Sequence, residues 1–234
     1  MSVEVEERGG VRILALHRPP VNAIDLPLAQ AIQEAVIAAA DDAACEALVL
    51  TGMDGVFSAG IDTRAVPAYD SATRAAMLRT INRTILALYG LPKPVVAAIS
   101  GHALGGALVL ALACDIRIAA RGNFRLGLTE VAAGIPFPAG PLAVVQAELS
   151  PRSARILTLT GVSAGPEAAE MEEIVDRVVD AAALLDEAVR TARDLRALRA
   201  YPAVKTQLRA ATCERLARIV ERDEEPLLAQ WIER

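Results

Sequence analysis

Apolar positions along this chain follow two alternating patterns. Wholly apolar runs at residues 47–50 and 95–99, and aliphatic-rich runs at 11–16 and 116–120 interrupted only by Arg12 and Arg117, predict short strands, with a Gly9-Gly10 turn before 11–16 and Pro19-Pro20 after it. Leu28, Ile32, Ala35, Val36 and Ala39 recur at helical spacing and predict an amphipathic helix over 28–40. Residues 71–88 read as a second helix with Ser71 as its N-cap. The uncharged run 103–114 spans 12 residues and predicts a buried core helix, because a membrane span needs about 20. Beyond Phe124 the pattern is mostly helical, broken at 134–140, and 174–179 predicts a last strand. From Ala181 onward it is helix only, with Tyr201-Pro202 between two long Arg-rich amphipathic helices. Strands alternating with helices predict an α/β protein with a largely parallel sheet. The division is a core over 1–180 and a helical region over 181–234. That region cannot extend the sheet, so it packs on the body or on a neighbouring subunit.

Composition narrows the chemistry. The chain has 234 residues and is 53% apolar but only 3% aromatic, so Ala, Leu, Val and Ile build an ample core. A net charge of −5 without a basic, aromatic-interleaved stripe excludes nucleic acid as a partner. Cys45, Cys114 and Cys213 are too scattered for a disulfide framework. With His17 and His102 they form no metal-ligating cluster, so no metal is expected. The acidic start MSVEVEERGG lacks the apolar stretch of a secretory leader, which points to a cytoplasmic protein. The acidic stretch 167–173 carries no functional expectation.

Three segments stand out. In 94–120 a buried strand runs into Gly101 and then Gly105-Gly106 at the start of an apolar helix. Paired glycines there suit close approach of a ligand to backbone N–H groups, or simply tight helix–sheet packing. The spacing is neither GxGxxG nor GxxxxGK[ST]. In 55–62, GVFSAGID, a small residue beside Gly60 can expose a backbone N–H, and Asp62 can cap the next turn of chain. Its Gly55-to-Gly60 spacing is one residue too long for a GxSxG nucleophile elbow. In 124–138, Glu130 is a lone carboxylate among Leu126, Leu128, Val131 and Ile135. Burial would raise its pKa and make it a usable base; on a surface helix face it would be unremarkable chemically.

Together these segments resemble the crotonase (enoyl-CoA hydratase/isomerase) superfamily. RPPVNAID at 18–25, SAGID at 58–62, PKPVVAAISGHALGGALVLALACDIRIAA at 92–120, LGLTEVAAGIP at 126–136 and VDRVV at 175–179 carry the resemblance. It implies a crotonase-like spiral of ββα turns with a helical C-terminal trimerisation region, as a homotrimer or dimer of trimers. It implies acyl-CoA thioesters as substrates, with coenzyme A part of the substrate and no separate cofactor. The implied oxyanion hole uses the N–H groups of Ala59 and Gly106. Ala59, Gly60, Ile61, Asp62 and Gly105 would line the CoA cleft, and Arg18, Arg64 and Lys205 are the candidates for its phosphates. Hydratases of the superfamily use two glutamates; the second matches Glu130, and the first falls on Val109. A single glutamate, with the stretches LGLTE and GIPFP, is similar to the monofunctional Δ3,Δ2-enoyl-CoA isomerases. The expected function is therefore such an isomerase of fatty-acid metabolism, with Glu130 as acid/base. An enoyl-CoA hydratase and a non-catalytic acyl-CoA binder are the alternatives.

Overall fold

The structure is a computed structural model that describes residues 2–168, 173–223 and 225–229. Most of the acidic stretch 167–173 and the end of the helical region therefore lie outside the described residues. Strands β1 (Ser2–Arg8), β2 (Val11–His17), β3 (Ala47–Thr51), β5 (Val95–Ile99), β7 (Ile116–Ala120) and β10 (Arg177–Val179) form one six-stranded sheet in the order β1-β2-β3-β5-β7-β10. All its pairings are parallel except β1 with β2. β3 and β5 are buried at every position, which is why they read as unbroken apolar runs rather than alternating ones.

A second sheet leaves no trace in the hydrophobic pattern. The short strands β4 (Gly55–Ser58), β6 (Gly101–Leu104), β8 (Leu126–Gly127) and β9 (Ser163–Ala164) form it in that order. The first three are parallel and β9 closes the edge antiparallel to β8. Successive chain segments visit the large sheet, then the small sheet, then a helix. β3-β4 leads to α2 (Ser71–Tyr89), β5-β6 to α3 (Gly106–Leu112), and β7-β8 to α4 (Ala139–Glu148). This is the spiral of ββα turns that the resemblance implied. The core helix expected over 103–114 is accordingly shorter: Ala103 and Leu104 complete β6, and α3 begins at Gly106.

Side-chain caps set the starts of the first two helices. Asp25 accepts from the Leu28 N–H at the head of α1 (Leu26–Asp41), which buries Leu28, Ile32, Val36 and Ala39 along one face. Asp70, not Ser71, caps α2 by accepting from the Thr73 N–H. α5 (Pro151–Thr160) follows α4. The C-terminal helices α6 (Leu184–Arg196) and α7 (Tyr201–Arg222) pack on the body: α6 lies on β3, β5 and β7, and α7 crosses α2 and α4. No described helix is long and apolar enough to cross a membrane.

Candidate active site

The tips of the two central ββα turns meet at a cavity of about 1020 Å³, counting its open mouth. Ala59 and Ile61 come from the loop after β4, Gly105 and Gly106 from the β6–α3 junction, and Val109 and Leu110 from α3. α2 contributes Met77, Leu78, Ile81, Thr84 and Ile85, and Pro138 and Pro141 flank the start of α4. Glu130 is the only ionisable side chain among the described residues lining it.

Backbone geometry at the mouth depends on two glycines. Gly105 has φ +54° and ψ −128°, a conformation closed to L side chains. Its N–H donates to the Gly127 carbonyl at 2.8 Å, leaving the Gly106 N–H as the first one directed out of the helix start. Gly60 has φ +80°, and a Cβ there would stand 2.3 Å from the Leu104 carbonyl oxygen and 3.5 Å from the Gly106 nitrogen. Only glycine lets the β4 loop come so close to the β6–α3 turn.

This close approach changes one expected donor. The Ala59 N–H donates to the Val21 carbonyl at 2.9 Å, so it is not available to a ligand. The Gly60 N–H is held by Ser58 Oγ at 3.1 Å. Ile61 forms a parallel bridge with Ile24, in which the Ile24 N–H donates to Gly60 O and the Asp62 N–H donates to Ile24 O. Backbone N–H groups alternate sides in an extended segment, so the N–H of Ile61 points away from Ile24. Among the described residues neither that N–H nor that of Gly106 has a backbone acceptor. Ile61 and Gly106, both on the cavity wall, thus each keep an N–H without a backbone acceptor. The signal for Ile61 lies in its pairing with Ile24, not in the local motif.

Glu130 sits on a turn after β8, not on a helix. Its carboxyl packs on the Gly105 Cα side: a Cβ there would lie 3.5 Å from Oε1 and 3.7 Å from Cδ. Oε2 is fully buried and has no hydrogen-bond partner among the described residues. Burial raises the Glu130 pKa to about 7, against the opposing pull of a backbone N–H bond. Val109 on α3 is fully buried and faces the same cavity.

The basic candidates divide. Lys205 is buried on α7, where its ammonium contacts Asp115 at 2.8 Å and donates to Lys93 O at 2.9 Å. It is part of the interior and does not reach a phosphate, so that expectation is corrected. Arg18 pairs with Asp25 at 3.1 Å and Asp62 at 2.8 Å and donates to Ala23 O. Its charge is largely compensated. Arg64 is exposed beside the cleft loop. Asp62 caps that loop by accepting from the Arg64 and Ala65 N–H groups. Burial pushes its carboxyl up, but these donors and Arg18 outweigh that and hold it below its ordinary range.

Residues 6–230 match the family model described as "Enoyl-CoA hydratase/isomerase". A probable enoyl-CoA hydratase of Mycobacterium avium is 34% identical over 188 residues, covering 79% of this chain and 71% of that protein. The carnitinyl-CoA dehydratase of Escherichia coli K12 is 32% identical over 195 residues, covering 83% and 74%. Among solved structures, human mitochondrial Δ3-Δ2-enoyl-CoA isomerase superposes with a TM-score of 0.85 at 26% identity, covering 100% of this chain and 96% of that one. The chain belongs to the enoyl-CoA hydratase/isomerase family.

Proposed function

From that membership, and from the one carboxylate in the cavity, we propose that the chain is a Δ3,Δ2-enoyl-CoA isomerase with Glu130 as its acid/base. The N–H groups of Ile61 and Gly106 bind the thioester oxygen and stabilise the dienolate that forms when a proton leaves C2. Glu130 takes that proton and returns it at C4, so the double bond moves from C3 to C2. The reaction consumes no water and needs one group that is basic at the start and acidic at the end. A carboxyl with a pKa of about 7 suits both roles near neutral pH. Arg64 is the exposed cation nearest in sequence to the cleft loop and is the candidate for CoA phosphate.

The observation that carries this reading is Val109 where a second carboxylate would stand. Adding water to a C=C bond calls for one group to activate the water and another to handle the proton at C2. Val109 can do neither. The hydratase reading is favoured by the name of the Mycobacterium avium relative. Assaying a 3-enoyl-CoA and crotonyl-CoA on one preparation separates the two. Isomerisation is expected to be the faster reaction, and hydration outrunning it overturns the proposal. Val109→Glu should raise hydration of crotonyl-CoA relative to isomerisation. Tight thioester binding with turnover of neither substrate would instead establish a binder. The same reading includes a cytoplasmic homotrimer or dimer of trimers in fatty-acid metabolism. Exposed Val204 and Leu208 on α7 supply apolar surface for such an assembly, which light scattering tests.

A further inference from the structure

Helix α4 begins without a cap of its own. Its N-cap position is Pro138, which has no side-chain acceptor to offer. Two residues far away in sequence take over. Glu225 accepts from the Ala139 N–H, at 3.0 Å through Oε1 and 3.2 Å through Oε2. Asn82 Oδ1 accepts from the Gly140 N–H at 3.1 Å. Asn82 Nδ2 in turn donates to Glu225 Oε1 at 2.7 Å, which closes a three-way polar latch between α2, α4 and the segment after α7. Leu228, fully buried, anchors that segment.

The latch stands beside the apolar cavity. Ile81 and Thr84, within two residues of Asn82 on α2, line the cavity, as do Pro138 and Pro141 on either side of Ala139 and Gly140. A buried asparagine within a helix is costly unless paired, and this one commits both its amide atoms to the latch. Gly140 is part of the same fit: a Cβ there would stand 2.6 Å from Asn82 Oδ1.

We propose that Asn82 and Glu225 are positioning residues for acyl-chain length: they hold the start of α4 against α2 and so fix how far the cavity extends. This rests on the acyl-CoA reading of the site. Neither residue lines the cavity, so both act through the α2 and α4 walls.

The test uses S-alkyl-CoA thioethers from butyl to hexadecyl, titrated calorimetrically into the full chain. In the wild type the affinity gain per methylene should stop at the length that fills the cavity. In Asn82→Ala and Glu225→Ala, thioethers beyond that length should gain about tenfold relative to short ones, the worth of a methylene that finds room. Gly140→Ala keeps every polar group and pushes the latch apart, so it should shift the profile the same way even if the alanine variants fold poorly. Glu225→Gln keeps an acceptor for Ala139 and should hold the wild-type profile. An unchanged profile in folded variants, or a loss equal at all lengths, overturns the latch. A wild type that binds no thioether overturns the acyl-CoA reading, and the latch with it.

Discussion

Two of the regions in which this molecule buries ionisable groups are built in opposite ways. Beneath α7, Asp115 contacts Lys205 at 2.8 Å and Arg209 at 2.9 Å, and accepts from the Tyr201 hydroxyl and the Val95 N–H. Arg209 also donates to the carbonyls of Tyr89, Ala113 and Cys114, closing the ends of α2 and α3. At the cavity, Glu130 has an oxygen that is buried and unpartnered, and a wall of aliphatic side chains around it. In the first region every charge meets a counter-charge and the network holds elements together. In the second the carboxyl is left without a cation, so its proton affinity rises and its chemistry is available. Pairing serves the fold; the absence of pairing serves the proposed reaction.

The largest effects should separate the two regions cleanly. Glu130→Gln keeps the shape of the side chain and removes the proposed base, so the proposed isomerisation should fall by about 10²–10⁴-fold while the folded state and thioester binding persist. Steady-state rates beside a thermal melt check this. Asp115→Ala should do the reverse. It leaves two buried cations without their main counter-charge, and breaking such a network costs about 3–5 kcal/mol of stability. Denaturant titration measures that loss, and the rate per folded molecule should barely move. If Asp115→Ala lowers that rate as Glu130→Gln does, or Glu130→Gln unfolds the chain, the contrast between the regions fails.

The same contrast explains what the sequence could reveal. Strands β2, β3, β5 and β7 and helices α1, α2, α6 and α7 follow from apolar runs and helical spacing, because burial on one or two faces writes itself into local pattern. The four-stranded sheet does not, since β8 and β9 are two residues long and β4 and β6 four, too short for any periodicity. Lys205 reads locally as a helix cation free to meet a phosphate; only the fold brings Asp115 under it, 90 residues away. Glu130 and Gly106 were legible because their local context is unusual: a lone carboxylate among aliphatics and a paired glycine at a strand end. Ile61 was legible only as a lining residue. Which N–H of SAGID is free is decided by the bridge to Ile24 and by the bond from Ala59 to Val21, neither of which the motif contains.

The smallest effect is the most specific to an unpaired carboxyl. Glu130 has an ordinary pKa of 4.5 and a folded-state pKa of about 7. Below pH 4.5 it is neutral in both states, and its contribution to stability is fully present. Between 4.5 and 7 the unfolded chain ionises freely while the folded chain holds the proton, so that contribution shrinks with rising pH. Above about 7 it is lost, a total of about 3 kcal/mol by the shift of the pKa. Carboxylates held low, such as Asp62, slope the other way, so the useful quantity is the stability of Glu130→Gln minus that of the wild type. That difference should grow from pH 4.5 to 7 and then level off, as read by denaturant titrations at successive pH values. The ionised form is the proposed base, so kcat/KM of the wild type should climb through the same pH range. A flat difference in stability would mean that Glu130 is solvated or paired after all, and the distinction from the Asp115 network would vanish.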